Sequence, residues 1–273
     1  MQPPDAVAGW DDDLNAQLYT RFTRDYPFYT VTSRDLAERA SLPGARLVVD
    51  LCGGTGATAA ALLEILPPGA RIISVDAAAA MQAAGRRALP DPRVSWITAR
   101  AEDAARHVRE SADAVVCNSA IWKTDTPAVF AAVKTMLRPG GRLVFNIGGS
   151  FAGLRPARTE PRPGPSLNEL ITAVAAEQYG YTPSPDPRPA APLTASLVQA
   201  QLRAAGFTVL GTETVTHTGT LEEKRAWLSI PAFARPPGPF THEQRMEILE
   251  RAYARADASR PVTTAWMVVT AEA

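Results

Sequence analysis

The stretch that most constrains the fold reads Leu47-Val48-Val49-Asp50-Leu51-Cys52-Gly53-Gly54-Thr55-Gly56. It is an apolar strand carrying one acid, followed by a glycine turn. Residues 57–66 are almost all Ala, Leu and Ile, so a helix begins where the glycines end. A strand, a glycine turn and a helix in succession form a nucleotide-binding element, because glycine permits the tight turn and lets a ligand reach main-chain atoms with no Cβ in the way.

Three details select the ligand. A P-loop needs Lys directly after its last glycine, but Ala57 follows Gly56 and the chain has no Gly-Lys pair. A dinucleotide fingerprint is matched only loosely, by Gly54-Thr55-Gly56-Ala57-Thr58-Ala59. Asp50 would repel a pyrophosphate and suit a cation. Asp76 ends the next apolar run (71–76) about 20 residues past the glycines, where a ribose hydroxyl pair is bound. A ligand with a ribose and a positive charge but no phosphate satisfies both acids, and S-adenosylmethionine (SAM) is such a ligand.

On these residues the chain resembles the class I SAM-dependent methyltransferases. Asp50 to Gly56 is similar to their first motif, and Ile73-Ser74-Val75-Asp76 to the ribose-binding second strand. Ala99-Arg100-Ala101-Glu102-Asp103 falls at the adenine contact. Ala114 to Ala120 resembles the fourth strand and its functional end, and Leu137 to Val144 the turn into the fifth. The resemblance covers roughly residues 45–150 and looks closest to bacterial natural-product C-methyltransferases with an N-terminal lid. It implies an α/β fold: a Rossmann-like, doubly wound, seven-stranded sheet with strand seven antiparallel, an N-terminal helical lid and two inserts. It also implies SAM as cofactor, S-adenosylhomocysteine as product and a small-molecule substrate in secondary metabolism.

Composition narrows the alternatives. The 28 basic and 28 acidic residues balance, which argues against a nucleic-acid partner. The two cysteines, Cys52 in the turn and Cys117 in an apolar strand, read as reduced. No apolar run approaches the roughly 18 residues of a membrane span, and a polar start without a signal peptide suggests a cytoplasmic protein. No His, Cys and acid spacing resembles a metal site. A short-chain reductase is disfavoured because no Tyr has Lys four residues on. A SAM-binding protein without activity is a further alternative.

The chain reads as one methyltransferase domain over 1–273: a helical lid (1–40), a SAM-binding core (41–147), a Pro-rich insert (148–192) and a C-terminal half (193–273) with a lid insert (217–261). Residues 1–11 look disordered. Helices are expected at 14–22, broken near Tyr26 by Pro27, and at 33–40 with Thr32 or Ser33 as N-cap. Strands are expected near 46–51, 71–76, 93–98, 113–118 and 141–147, with helices near 57–66, 78–88, 103–109 and 126–137. Further on come helices at 167–179, 194–205 and 241–255 and strands at 207–216 and 263–270.

Within the resemblance, Asp50 orients the methionine amino group. Cys52, Gly53, Gly54 and Gly56 turn around the amino-acid part, with Cys52 standing where the family usually has Gly. Asp76 takes the ribose, Ala77 and Met81 flank the adenine, and Ala101 and Glu102 edge it. Asn118 and Ser119 lie beside the donor methyl, and Tyr19 belongs to the roof over SAM. Trp122, Lys123, Tyr26, Tyr179 and Tyr181 are candidates for the acceptor pocket. Trp122 and Lys123 replace the His found there in many small-molecule enzymes, so a resident base is missing unless Lys123 is perturbed. Tyr29 or His217, directly after the strand at 207–216, is the candidate base. These features lean toward a carbon acceptor of an electron-rich aromatic or alkene, with O- or N-methylation as the alternative. The aromatic N-terminal segment is a candidate for exchange in a homo-oligomer.

Overall fold

A computed structural model of the chain describes Val7 and residues 9–154, 164–183 and 191–273. The elements run α1 (Asp13–Asp25), α2 (Phe28–Arg39), β1 (Leu47–Leu51), α3 (Ala57–Ile65), β2 (Arg71–Asp76), α4 (Ala79–Ala88) and β3 (Val94–Thr98). After a 3-10 helix (Ala101–Arg106) come β4 (Ala112–Cys117), α5 (Thr126–Met136), β5 (Leu137–Gly148), α6 (Leu167–Tyr179), α7 (Ala195–Ala204) and β6 (Thr208–Gly219). The chain closes with α8 (Leu221–Leu228), α9 (His242–Ala254) and β7 (Val262–Glu272).

The strands form one seven-stranded sheet in the order β3-β2-β1-β4-β5-β7-β6. Strands β1 to β5 pair in parallel and β7 runs antiparallel to β5. This is the Rossmann-like methyltransferase architecture expected from sequence. Both faces of the sheet are covered, so its central strands are continuous apolar runs. Leu47, Val49 and Leu51 join one buried cluster with Phe130 and Phe145, while Val48 joins another with Leu36, Leu62 and Val144. The alternation puts Asp50 on the Val48 face, which is the side covered by α2 and α3.

The chain divides into two compact units. The first, Met1–Arg155, Pro192–Thr216 and Ala265–Ala273, holds the glycine turn and the residues expected around SAM. The second, Pro156–Ala191 and His217–Thr264, is built from the two stretches read as inserts. It has an apolar core of its own: Leu167, Ile171 and Val174 from α6 meet Leu221 and Leu228 from α8 and Ile248 and Leu249 from α9.

Several local expectations are corrected. Helix α2 begins at Phe28, five residues before the expected 33, because Pro27 already supplies a helical φ of −76° for the first turn. Thr32 and Ser33 are therefore buried inside the helix and cap nothing. The helix expected at 103–109 is a 3-10 helix whose three-residue turn buries Ala101 and Ala104 together. Helix α8 was not anticipated; its charged sequence hides a short helix capped by Thr220, whose side chain accepts from the Glu223 amide. Strand β6 runs to Gly219, so His217 lies inside the strand. Residues 1–6 and 8, called disordered with the rest of 1–11, lie outside the described residues, as do 155–163 and 184–190 of the first insert. Trp10 and Asp11 are ordered by contacts: Trp10 packs edge-on against Tyr19 at 5.8 Å, and Asp11 accepts from the Ala80 amide at 2.8 Å.

Candidate functional site

The glycine turn follows β1 and depends on its small residues. Gly53 donates its amide to the Val75 carbonyl at 3.1 Å, and a Cβ there would fall 2.5 Å from Asp50 Oδ2. Gly54 and Gly56 have φ of 54° and 87°, the left-handed region open to glycine at little cost. Cys52 adopts φ 57° there as well, which costs a residue with a Cβ about 1 kcal/mol. The Cys52 thiol shares a hydrogen bond with Cys117, which together with burial holds it well above the usual thiol range.

Asp50 is fully buried, and neither of its carboxylate oxygens has a hydrogen-bond partner among the described residues. Burial pushes its pKa up to about 7, and the charge of Asp76 adds to the rise. The Ala59 amide opposes that rise but falls short of hydrogen-bond geometry. A buried carboxylate without a donor is expensive. A ligand carrying an ammonium or sulfonium relieves that cost, so the residues present fit the cationic end of SAM.

Asp76 differs. Its Oδ2 accepts from the Gly54 amide at 2.9 Å and its Oδ1 from the Ala78 amide at 2.8 Å. These bonds aim the carboxylate across the turn and leave a lone pair on each oxygen for a hydroxyl. Burial raises its pKa against the pull of the two amides. Ala77 is half-buried beside it. Met81 is packed in a cluster with Ala16, Ala78 and Ala84, against which Trp10 and Tyr19 lie. Ala101 is part of the core beneath the 3-10 helix, and Glu102 accepts from the Asp125 amide at 3.0 Å.

Helices α1 and α2 contribute aromatic rings. Tyr19 and Tyr29 lie 5.2 Å apart and their hydroxyls share a hydrogen bond. Burial raises the Tyr19 hydroxyl well above its ordinary pKa, with Tyr29, Asp76 and Asp50 adding to the shift. The Tyr19 hydroxyl is thus neutral and bonded to that of Tyr29. Tyr26 caps α1 and stacks on Phe22 at 5.3 Å.

At the end of β4 a polar network joins α2 to the sheet. Asn118 donates to Thr32 Oγ1 (3.1 Å) and Ser33 Oγ (2.9 Å) of α2. Its own Oδ1 accepts from Asn146 Nδ2 at 2.9 Å and from Ser119 Oγ at 3.1 Å. Asn146 Oδ1 accepts from the Ser119 amide at 2.6 Å, which holds Ser119 at φ 56°. Sequence reasoning missed Asn146, although a lone amide inside the apolar run Leu143 to Ile147 is itself a signal. Replacing it with Leu leaves the Ser119 amide unpaired and removes one of the two donors to Asn118 Oδ1. The variant is expected to lose about 2–4 kcal/mol in a urea titration.

The chain then enters a short 3-10 helix, Ile121–Lys123. Trp122 stacks on Phe151 at 3.5 Å with an interplanar angle of 11°. The Lys123 ammonium lies 3.6 Å over the Trp10 ring and 5.2 Å from that of Trp122. Burial lowers its pKa to about 8, against the pull of Cys52 and Asp76.

The remaining candidates belong to the second unit. Tyr179 bonds Glu247 at 3.2 Å, and it and Tyr181 each pack edge-on against Phe240 at 5.6 Å. His217 Nε2 lies 3.3 Å from the buried Glu223 carboxylate. No group of three or more His, Cys, Asp or Glu that would hold a metal occurs among the described residues. Nor is any described helix long and apolar enough to cross a membrane.

The sheet order and the glycine turn are those of the Rossmann-like methyltransferase fold. A family model described as a methyltransferase domain matches residues 48–141. The trans-aconitate 2-methyltransferase of Azoarcus sp. (strain BH72) is 33% identical over 169 residues, covering 61% of this chain and 61% of the relative's length. That of Acidovorax sp. (strain JS42) is 33% identical over 136 residues, 50% of each. Among solved structures, geranyl diphosphate C-methyltransferase from Streptomyces coelicolor A3(2), crystallised with S-adenosyl-L-homocysteine, superposes with a TM-score of 0.51 at 13% identity, covering 89% of this chain and 78% of that one. A (4+2)-cyclase superposes at 0.53 with 15% identity, covering 89% and 80%. The match to the methyltransferase domain thus lies in the SAM-binding half of the sheet, and the chain spans about three fifths of the length of the trans-aconitate relative it is similar to.

Proposed function

We propose that the protein transfers a methyl group from SAM to a small carboxylic acid. The observation that carries the SAM assignment is Asp50, a wholly buried carboxylate with no donor beneath a glycine turn, beside an Asp76 already aimed by two amides. SAM, when bound, supplies an activated methyl, so the protein's own work is alignment and exclusion of water. Asp50 anchors the amino-acid end, Asp76 the ribose, and the Asn118–Ser119 corner is held rigid beside them. No strong base is needed when the acceptor is already an anion.

Lys123 supports the acid acceptor. Its buried ammonium, over Trp10 and next to Trp122, is a charge placed to hold a carboxylate. The trans-aconitate relatives, named for an acid acceptor, favour the same class. A second reading, transfer to a carbon of a flat aromatic or alkene acceptor, draws on the apolar platform of Trp122 on Phe151. Incubation with SAM and either trans-aconitate or an indole, followed by mass spectrometry, separates the two. A singly methylated ester that alkali cleaves is expected, and an alkali-stable product would favour carbon.

A pH dependence follows. Lys123 is cationic below its pKa of about 8. The KM for an acid acceptor should therefore stay flat up to pH 8 and rise above it. Lys123→Met should raise that KM about tenfold at pH 7 and abolish the rise. A Met variant with unchanged KM would remove Lys123 from the acceptor site.

A further inference from the structure

Three polar side chains lie beneath the glycine turn with no exposure at all: Asp50 on β1, Ser74 on β2 and Gln82 on α4. Strand pairing brings the first two together, since Asp50 and Ser74 are direct partners in the parallel register of β1 and β2. Partnered positions leave the same face of a sheet. Gly53 completes the arrangement. A Cβ on it would fall 2.3 Å from Ser74 Oγ and 2.5 Å from Asp50 Oδ2. The two oxygens thus border one spot that a glycine alone leaves open. Gln82 reaches Ser74 from the helix, its Nε2 donating to Ser74 Oγ at 3.4 Å.

Ser74 interrupts the apolar run Ile72 to Val75, and Gln82 an Ala-rich helix. An apolar residue at either place would be buried without polar cost. A serine hydroxyl has one hydrogen to donate and two lone pairs. Gln82 takes a lone pair of Ser74 Oγ, which leaves the hydrogen for another acceptor. The carboxylate that borders the same spot, Asp50, has no donor of its own among the described residues. A hydroxyl turned to a carboxylate favours its charged form. Asp50 needs that support, because burial and then the Asp76 charge hold its pKa up at about 7. Around it β2 contributes Asp76, α1 Tyr19, α3 the Ala59 amide and α4 Gln82, and none of these is a cation.

We infer that Ser74 and Gln82 are positioning residues for the cationic end of SAM: Gln82 fixes the Ser74 oxygen, and the Ser74 hydroxyl supports ionised Asp50 from beneath the turn. The inference rests on the proposed role of Asp50 as the anchor of that end. It gives the two buried residues a task that touches neither cofactor nor acceptor. They set the pH at which the anchor carries its charge.

The test is calorimetry of the full-length protein with SAM from pH 6 to pH 9, beside an NMR titration of the Asp50 carboxyl carbon in the cofactor-free protein. Ser74→Ala should raise the carboxyl midpoint by about one pH unit. Its Kd for SAM should then exceed that of the wild type about tenfold at pH 6 and about fivefold at pH 7, and match it at pH 9. Equal affinity at pH 9 also reports that the fold is kept. Gln82→Met, which keeps the bulk and removes the donor to Ser74, should move the midpoint the same way by less. A carboxyl midpoint unmoved by Ser74→Ala would overturn the inference. So would a Kd raised by one factor at every pH, since that is the mark of a merely structural residue. A wild type whose SAM affinity ignores pH, while its Asp50 carboxyl titrates and responds to Ser74→Ala, would instead remove Asp50 as the anchor and leave its link to Ser74 standing.

Discussion

Asp50→Asn should make the ligand-free protein more stable at pH 8 and cost it most of its affinity for SAM. The first half follows from linkage. Asp50 has a folded pKa raised to about 7, so the unfolded chain releases this proton at lower pH than the folded one. Stability is fully present below the unfolded value near 4 and is lost as pH rises through 7. Over about three pH units that is at most about 4 kcal/mol. Asn removes the charge but brings an amide that is itself incompletely paired, so a gain of about 2 kcal/mol, or roughly 5 °C in Tm, is expected at pH 8. At pH 4 the gain should vanish. On the proposed reading Asp50 is the carboxylate that holds the cationic end of SAM, so its Kd should rise about 100-fold. In the wild type the affinity should fall about tenfold per unit below pH 7, and in the variant it should not change with pH. Thermal scans at the two pH values and calorimetry with SAM check all of this. A variant that is less stable at pH 8 would show that Asp50 is structural.

Asp76→Ala is expected to weaken SAM by about 100-fold as well, through a different part of the ligand. The substitution removes the acceptor for the ribose and frees the Gly54 and Ala78 amides that it orients. Adenosine separates the two acids, since it has the ribose and lacks the cation. Its affinity should collapse with Asp76→Ala and survive Asp50→Asn. Loss of adenosine binding in the Asn variant alone would reverse the assignment.

How far these sites were legible in sequence depends on how local their causes are. Asp50, the glycines and Asp76 form one strand–turn–helix–strand segment, so spacing alone carries their arrangement. The seven-stranded sheet with an antiparallel last strand was expected through the resemblance that the motifs carry, and its strand order came from the structure. The start of α2 was misread because Thr32 and Ser33 resemble caps, while their true partner, Asn118, lies 85 and 86 residues away. Trp10 was set aside with a polar terminus, although its ring meets Lys123 across the fold. Helix α8 escaped because it is eight residues long and rich in charge, and so lacks the apolar stripe that marks a longer helix.

Helices α1 and α2 are held to the molecule by different kinds of bond, and this bears on turnover. Helix α2 is stitched to the sheet through Ser33, Thr32 and Asn118, and lifting it would strand buried amides with nothing to replace their partners. Helix α1 packs through aromatic rings and through Ala16, which joins Ala78, Met81 and Ala84, and its Tyr19 hydroxyl bonds that of Tyr29. Aromatic faces part at modest cost and water readily replaces one hydroxyl bond. The break at Tyr26–Pro27 separates the two helices, so α1 can be displaced while α2 stays seated. On the proposed reading of the site, exchange of spent cofactor is expected on the Trp10 and Tyr19 side, while the Ser33 side is a fixed wall.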